Sequence, residues 1–285
     1  MSIKRRVKDA LRGIIMLMKE REMIPIPAPV SANSLLEGKT ALITGGSGGI
    51  GMAIAKAFLR SGAKVIIAGT NSEKLSLCLQ KLHSSAENAV CASILLDVLD
   101  VESMPGKVSE AAGLFGEDRL DILVNSAGAV SHSGFMDITG EEYDRIMNVN
   151  AKGTYFMSQA VSKFMIERKI RGHILNISSA SALRPAWTPY EISKWAVRGM
   201  TLGLADSLLS YGITVNAIAP GPVATPMLGK HEGDSIYNPS NPSGRYAVPE
   251  EIAELAVFMV GRTGDLVVGD TFYITGGAGT ISLHR

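Results

Sequence analysis

Hydrophobic residues in this chain fall into short, nearly continuous runs that alternate with longer segments of helical periodicity. The runs cover residues 39–44, 64–68, 90–97, 120–125, 173–178, 214–219 and 271–275. Between them, apolar positions recur at the spacing of a helix that packs on one side. Strands that are apolar on both faces and separated by helices are typical of a parallel sheet covered on both sides. The pattern therefore predicts an α/β fold with a doubly wound parallel sheet of about seven strands.

The first 37 residues do not follow this pattern, so we expect a single domain at 38–285 and an extension at 1–37. Residues 1–22 hold seven Lys or Arg and three Asp or Glu, with apolar residues at helical spacing, which predicts a basic amphipathic helix of net charge +4. Three prolines at alternate positions predict an extended linker after it: Pro25, Pro27 and Pro29.

Two interpretations of the amphipathic helix remain open. It packs as an arm against the domain or a sister subunit, or its basic face makes peripheral contact with an anionic membrane surface. Its apolar run at 14–18 is short and lies between Arg12 and Lys19, so we expect no cleaved secretory signal.

Composition narrows the classes of function. At 285 residues and 46% hydrophobic the chain suits one large domain, and its net charge of +1 lacks the basic excess of a nucleic-acid binder. The two cysteines, Cys78 and Cys91, form no disulfide framework or metal spacing, which predicts a reducing, cytoplasmic location. We expect no metal site and, because no apolar run reaches about 18 residues, no membrane span.

A glycine-rich turn follows the first predicted strand and opens a helix: residues 44–51 read TGGSGGIG. Glycines there permit a tight turn and a close approach of the backbone to a pyrophosphate, which would sit on the helix N-terminus. Two spacings fit a dinucleotide site and spacing alone does not choose between them. Gly46, Gly48 and Gly51 match G-x-G-x-x-G, whereas Gly45, Gly49 and Gly51 match T-G-x-x-x-G-x-G.

From 36 to 279 the chain resembles the classical short-chain dehydrogenase/reductase family, with the motifs in the family's order. Residues 97–98 read DV, residues 125–128 read NSAG where the family has N-N-A-G, and residues 220–225 read PGPVAT, which resembles P-G-x-V-x-T. The resemblance implies a Rossmann-like fold, an oxidoreductase that moves a hydride between a nicotinamide dinucleotide and a carbonyl or alcohol, and a homo-oligomer, either a dimer or a tetramer.

The resemblance also implies which residues bind the dinucleotide. The family places an Asp such as Asp97 beside the adenine, and a Val and Thr such as Val223 and Thr225 at the nicotinamide carboxamide. The full expected set is Gly45, Ser47, Gly49, Ile50, Gly51, Thr70, Asn71, Asp97, Val98, Asn125, Ala127, Gly128, Tyr190, Lys194, Pro220, Gly221, Val223 and Thr225.

The end of the second strand bears on the choice of dinucleotide. An acidic residue that would pair with a free ribose 2′-hydroxyl is missing there, and Gly69 does not repel a 2′-phosphate. The family's arginines for that phosphate are also missing, since Gly48 and Thr70 occupy their places. We expect NADP(H) over NAD(H), with phosphate partners among Ser47, Thr70, Asn71 and Lys74.

Four residues are candidates for catalysis. Tyr190 and Lys194 form Y-x-x-x-K, which places them one turn apart on one helix face. A protonated Lys favours the phenolate and is expected to lower the Tyr190 pKa, so Tyr190 donates or accepts the substrate proton. In the family's mechanism Lys194 also holds the nicotinamide ribose and joins a proton relay.

Residues 177–179 resemble the family's I-S-S, and the resemblance implies that Ser179 hydrogen-bonds the reacting oxygen of the substrate. Ser179 precedes Tyr190 by 11 residues, which is a shorter separation than is usual in the family. Ser178 and Ser181 therefore remain alternative candidates for this role. Residues 148–150 resemble N-V-N, which assigns Asn150 to the relay water, although an Asn also satisfies local backbone groups.

The leading hypothesis is an NADP(H)-dependent carbonyl reductase or secondary-alcohol dehydrogenase. The alternatives are a dinucleotide-binding sensor or scaffold without turnover and, third, an epimerase or dehydratase of the extended family. We expect the substrate pocket to be formed by the stretch after Ser179, including Trp187, and by a lid at 226–246. The lid's charged residues hint at a polar substrate: Lys230, His231, Glu232 and Asp234.

Overall fold

A computed structural model describes residues 34–85, 89–131, 133–231 and 233–282. The predicted amphipathic helix at 1–22, the proline linker and Glu232 lie outside these ranges. Seven parallel strands form one sheet with the order β3-β2-β1-β4-β5-β6-β7, which confirms the doubly wound architecture. The strands are β1 (Thr40–Thr44), β2 (Lys64–Gly69), β3 (Cys91–Leu95), β4 (Ile122–Asn125), β5 (His173–Ile177), β6 (Thr214–Pro220) and β7 (Thr271–Ile274).

Helices connect the strands and cover both faces of the sheet. They are α1 (Gly49–Arg60), α2 (Ser72–His83), α3 (Met104–Gly113), α4 (Gly140–Met147), α5 (Thr154–Glu167), α6 (Pro189–Leu208) and α7 (Pro249–Val260). A π-helix at Asn148–Gly153 joins α4 to α5, and short 3₁₀ turns occupy Ala180–Leu183, Leu209–Tyr211, Pro226–Leu228 and Arg262–Gly264. None of the helices in the described ranges is both long and apolar enough to cross a membrane.

The core lies in two layers because successive residues of a strand face opposite sides of the sheet. All five residues of β1 are buried. Ile43 belongs to the layer that packs against α1 and α7, and Leu42 belongs to the layer that packs against α3 and α5. Both faces are therefore apolar, which is the physical reason why the strands are continuous hydrophobic runs.

The order of the strands reverses between β1 and β4, so their connections leave in opposite directions and open a crevice at their carboxyl ends. Thr44 closes β1 opposite Asn125 of β4. Its Oγ1 accepts hydrogen bonds from the backbone N–H groups of Ser126 and Ala127, at 3.2 and 3.3 Å. Thr44 thereby fixes the chain that leaves β4 along the floor of the crevice.

Candidate functional site

The turn between β1 and α1 is packed too closely for side chains. Gly45 has a φ of +64°, and a Cβ built on it would lie 2.7 Å from the backbone nitrogen of Ala127. A Cβ on Gly51 would lie 2.4 Å from the Gly45 carbonyl oxygen, so helix and turn are in direct contact. These two glycines are required by the backbone itself.

The neighbouring glycines distinguish the two spacings. A Cβ on Gly49 would lie 2.6 Å from Cγ2 of Thr225, in the loop that follows β6. A Cβ on Gly48 would meet its nearest atom at 3.2 Å. A Cβ on Gly46 would lie 2.7 Å from Cβ of Ile67, so in crowding the two spacings differ only at Gly48, the least crowded of these glycines, which is the one that T-G-x-x-x-G-x-G does not require.

The N-terminus of α1 is free to receive an anion. Its N-cap, Gly48, makes no side-chain hydrogen bond to the first turn, and that turn holds no acidic residue. Ile50 and Gly51, whose N–H groups have no acceptor within the helix, line the adjoining cavity. Such N–H groups and the helix dipole bind phosphate.

A cavity of about 580 Å³ opens at the carboxyl ends of the central strands. Twelve of the residues expected from the sequence line it: Gly45, Gly49, Ile50, Gly51, Gly128, Ser179, Tyr190, Lys194, Pro220, Gly221, Val223 and Thr225. Eight others lie outside its wall: Ser47, Thr70, Asn71, Asp97, Val98, Asn125, Ala127 and Asn150.

Some of these eight lie at the loop after β2. A Cβ on Gly69 would lie 3.6 Å from Oγ of Ser47, an ordinary contact, so this position has room for a side chain. Asn71 caps α2: its Oδ1 accepts a hydrogen bond from the backbone N–H of Lys74 at 2.8 Å. Glu73 adds a negative charge to the same turn.

The others lie against the sheet. The exposed Asp97 accepts a hydrogen bond from the backbone N–H of Leu99 at 2.9 Å. The buried Asn125 donates from Nδ2 to Oγ of Ser158 and to Oδ1 of Asn176, both at 2.9 Å. The structure thus gives Asn125 a position between β4, β5 and α5 rather than at the cavity.

Tyr190 stands in the first turn of α6, which begins at a capping interaction. The carboxylate of Glu191 accepts hydrogen bonds from the backbone N–H of Thr188, at 2.9 Å, and from its hydroxyl. Oγ of Ser179 accepts a hydrogen bond from the backbone N–H of Ser181 at 3.1 Å, and the Ser179 side chain also lies near enough to the Tyr190 phenol to affect its pKa. Burial raises the pKa of Tyr190, and the Ser179 side chain partly opposes that rise.

Lys194 lies one turn further along α6. Its Nζ donates to the backbone carbonyl of Ile177 at 2.8 Å and is 5.7 Å from the centre of the Tyr190 ring. Burial lowers the pKa of Lys194 to about 8. The expectation that Lys194 lowers the pKa of Tyr190 is therefore wrong for the protein alone, because desolvation of the phenol prevails.

The two alternative serines have other partners. Ser178 donates its hydroxyl to the backbone carbonyl of Lys194 at 3.0 Å, and the Ser181 hydroxyl lies 3.5 Å from a guanidinium nitrogen of Arg184. The 3₁₀ turn Ala180–Leu183 spans the shortened segment and keeps Ser179 beside Tyr190. Ser179 also has a local partner, the backbone N–H of Ser181, and it is favoured among the three because its side chain alone of these acts on the pKa of the Tyr190 phenol.

Asn150 lies within the π-helix and is buried. Its side-chain amide exchanges two hydrogen bonds with the backbone of Ala129, at 2.7 and 2.9 Å, and donates to Oγ of Ser193 at 2.9 Å. The Asn150 side chain therefore bridges the loop after β4 to α6. Its backbone carbonyl accepts from Thr154 Oγ1 at 2.7 Å and has a second lone pair.

The wall beyond Tyr190 contains Met227 and Leu228, which belong to the expected lid at 226–246, and Val130, which no sequence pattern indicated. All three line the cavity together with the expected Trp187. Their positions depend on packing between loops that are distant in the sequence, which leaves no local signal. The capping pair Thr188 and Glu191 did have one, T-x-x-E before a helix.

The charged residues of the predicted lid do not face this wall. Nζ of Lys230 donates to the carbonyl of Ser235 at 3.1 Å and lies 5.4 Å from the centre of the Tyr246 ring. The backbone N–H of His231 donates to Asp234 at 2.7 Å. Lys230, His231 and Asp234 are not among the described residues that line the cavity, so the expectation of a polar substrate stays a prediction. In the same ranges, no three His, Cys, Asp or Glu side chains form a group able to hold a metal ion.

Comparison with known proteins gives a consistent result. The family model for short chain dehydrogenases matches residues 39–235. A gluconate 5-dehydrogenase of Gluconobacter oxydans is 33% identical, with 87% of this chain and 97% of that protein covered. A galactitol 2-dehydrogenase of Agrobacterium fabrum is 35% identical, with 85% and 98% covered. The crystal structure of a gluconate 5-dehydrogenase from Burkholderia cenocepacia in complex with NADP and tartrate superimposes with a TM-score of 0.77 at 29% identity, covering 86% of this chain and 97% of that one.

The sheet, the glycine turn and these matches define an oxidoreductase with a doubly wound dinucleotide-binding domain. The chain belongs to the short-chain dehydrogenase/reductase family. It is an NAD(P)-dependent dehydrogenase/reductase of this family.

Proposed function

We propose that this protein is an NADP(H)-dependent carbonyl reductase or secondary-alcohol dehydrogenase in which Tyr190 is the general acid and base. The proposal rests mainly on one observation: Ser179, Tyr190 and Lys194 line the same cavity as the glycine turn. A chain that only binds dinucleotide has no need of a proton donor placed beside a second hydroxyl donor.

The shape of the cavity supports a nicotinamide dinucleotide. Side chains at Gly45, Gly49 and Gly51 would fill the space beside the N-terminus of α1, which has no cap from a side chain in the described residues. That turn would hold the pyrophosphate, and Val223 and Thr225 the nicotinamide end. When bound, the nicotinamide carries the hydride; the protein supplies orientation and the proton.

The pKa shifts support different roles for these side chains in proton transfer. Tyr190 is protonated at neutral pH, and because burial raises its pKa, proton donation to a carbonyl requires neighbouring groups that stabilise the phenolate. Ser179, beside Tyr190, donates to the same substrate oxygen. Lys194 is close enough to Tyr190 to support the phenolate left after proton transfer, and the second lone pair of the Asn150 carbonyl is the place for a relay water.

Three features support the preference for NADP(H). No carboxylate stands at Gly69 to repel a 2′-phosphate, Ser47 directs its Oγ to this position, and the N-terminus of α2 follows. The exposed Lys74 adds a positive charge there, against Glu73 of the same turn.

The proposal is tested by mixing the purified protein with NADPH or NADH and a panel of neutral ketones, aldehydes and keto acids, and following the absorbance of the reduced nicotinamide. We expect ketone-dependent oxidation that is faster with NADPH. Tight dinucleotide binding without oxidation by any carbonyl, and without reduction of NADP⁺ by the matching alcohols, would instead identify a sensor.

A further inference from the structure

The part of the cavity beyond Tyr190 is walled by large apolar side chains that are only half covered by protein. Trp187, Met227 and Leu228 line it and are 54%, 53% and 49% exposed. Val130 adds to this wall, and two serines, Ser131 and Ser133, are its small polar members. Removing apolar surface of this kind from water stabilises the complex with an apolar ligand.

Charge is scarce on the same wall. Lys194 is the one cation among the described lining residues, and its ammonium group is buried and bonded to the Ile177 carbonyl. Glu191 is the one anion there. Arg145 is exposed and donates from its guanidinium to the carbonyl of Val130 at 3.1 Å. The exposed Arg184 acts electrostatically on Tyr190 but is not one of the described residues that line the cavity. A substrate carboxylate against the apolar wall would therefore share the lining with Glu191 and find no lining cation to pair with it except the buried Lys194, which is costly in a partly desolvated site.

We infer that the substrate of this site is a neutral ketone or secondary alcohol that carries an aryl or alkyl group, and not a sugar acid or another carboxylate. The inference rests on the proposed function and adds the substrate class. The reacting oxygen lies at Ser179 and Tyr190, and the apolar group lies against Trp187, Met227 and Leu228.

The test compares two ketones of one skeleton, 4-phenylbutan-2-one and 4-(4-carboxyphenyl)butan-2-one, with gluconate as a sugar-acid probe in the oxidation direction. We expect kcat/KM for the neutral ketone to exceed that for the carboxylated one by at least about tenfold, because an unpaired charge in such a site costs more than ~1.4 kcal/mol. We expect no measurable oxidation of gluconate.

A substitution in the apolar wall of the cavity tests the same comparison of the two ketones. Leu228→Arg supplies the missing cation and should raise kcat/KM for the carboxylated ketone while lowering it for the neutral one. Leu266→Arg is the matched control, because Leu266 is 97% exposed and lies outside the cavity wall; it should change neither value.

A binding measurement that needs no turnover completes the test. The chain has two tryptophans, so Trp195→Phe leaves Trp187 as the only indole. With NADP⁺ bound, the neutral ketone should change the Trp187 emission saturably, at concentrations at least tenfold lower than the carboxylated ketone.

The possible results separate the inference from the proposed function. Equal or better use of the carboxylated ketone, or of gluconate, would overturn the substrate class and leave the carbonyl reductase intact. Failure of both ketones to oxidise NADPH or NADH, together with the sensor result described above, would overturn the proposed function and the inference with it.

Discussion

Burial acts in opposite directions on the two ionisable side chains at the centre of the site. Removing a group from water disfavours its charged form, so the pKa of Tyr190 rises while that of Lys194 falls to about 8. The protein alone therefore holds a neutral phenol beside a lysine that titrates just above neutral pH. Reduction of a carbonyl is served by this state, because the acid is already protonated.

The lysine titration leads to a prediction for dinucleotide binding. Below pH 8 the Lys194 ammonium is charged and favours an anionic ligand; as pH rises through about 8 the charge is lost. The Kd for NADPH, measured by fluorescence titration between pH 6.5 and 9.5, should therefore increase above pH 8. In Lys194→Met the binding should be weaker throughout and the increase above pH 8 should disappear. An unchanged pH profile in that variant would show that another group titrates.

A second residue-scale prediction concerns Gly69. The position accepts a side chain, because the nearest atom to a Cβ lies at 3.6 Å. Gly69→Asp should lower kcat/KM with NADPH by roughly 10- to 100-fold and favour NADH, since repulsion between close charges near a protein surface is worth up to about 4 kcal/mol. Gly69→Ala fills the same space without charge and should keep the original preference. A preference for NADH in the unaltered protein would contradict our choice of NADP(H).

At the scale of elements, the strands were predictable and the details at their ends were not. All seven apolar runs became strands. The five inner strands are buried on both faces and are therefore apolar along their length, whereas the edge strands β3 and β7 are mostly half-buried. The run at 90–97 shortened to Cys91–Leu95, since the ladder with β2 ends at Gly69. The π-helix is held by long-range packing, in which Gly153 comes so close to Val98 that a Cβ would lie at 2.9 Å.

The candidate site, like the fold, was predictable where the sequence holds a local pattern and not where it depends on tertiary packing. The glycine turn and Y-x-x-x-K are local patterns, and the structure brings both to one cavity. The positions of Ser193 against Asn150 and of Met227 beside Trp187 come from tertiary packing, which leaves no periodic signal in the sequence. The roles that we assign to the individual residues stay predictions until they are tested by substitution.

The contact between α1 and the loop after β6 gives an element-scale prediction. Gly49→Ala places a methyl group 2.6 Å from Thr225, so the loop must move away from the helix N-terminus. We expect dinucleotide affinity to fall by at least about tenfold, or ~1.4 kcal/mol, with the midpoint of urea unfolding little changed. Gly106→Ala in α3 is the control, because no atom lies within 4 Å of its Cβ, and it should bind as before. Normal affinity in Gly49→Ala would argue against this turn as the pyrophosphate site.

At the scale of the whole molecule, the packed body begins before β1. Leu36 is 1% exposed in the core, and its backbone N–H donates to the carbonyl of Ser61 at 2.8 Å. The basic segment at 1–22 and the prolines precede this anchor in the sequence. The boundary expected after residue 37 therefore lies earlier, because Leu36 belongs to the packed domain. We propose that residues 1–33 are an extension whose role is assembly of subunits or contact with a membrane surface.

Deletion of residues 1–33 tests this boundary. We expect the shortened protein to fold and to bind NADPH, with a change in oligomeric state by light scattering or in sedimentation with anionic vesicles. Leu36→Ala in the full chain is the contrasting variant and should lose roughly 2–5 kcal/mol of unfolding free energy, as for other buried leucines. A shortened protein that does not fold would place the extension in the core.

The most direct test of the central claim is the turnover of Tyr190→Phe beside its dinucleotide affinity. The substitution keeps the ring, which packs beside Lys194, and removes only the hydroxyl near Ser179. If Tyr190 is the general acid and base, kcat should fall by about 10²- to 10⁴-fold on any carbonyl that the wild type reduces, while the Kd for NADPH changes less than about threefold. A Tyr190→Phe variant with near-normal kcat would show that the proton comes from another group, and the assignment of this site would have to be abandoned.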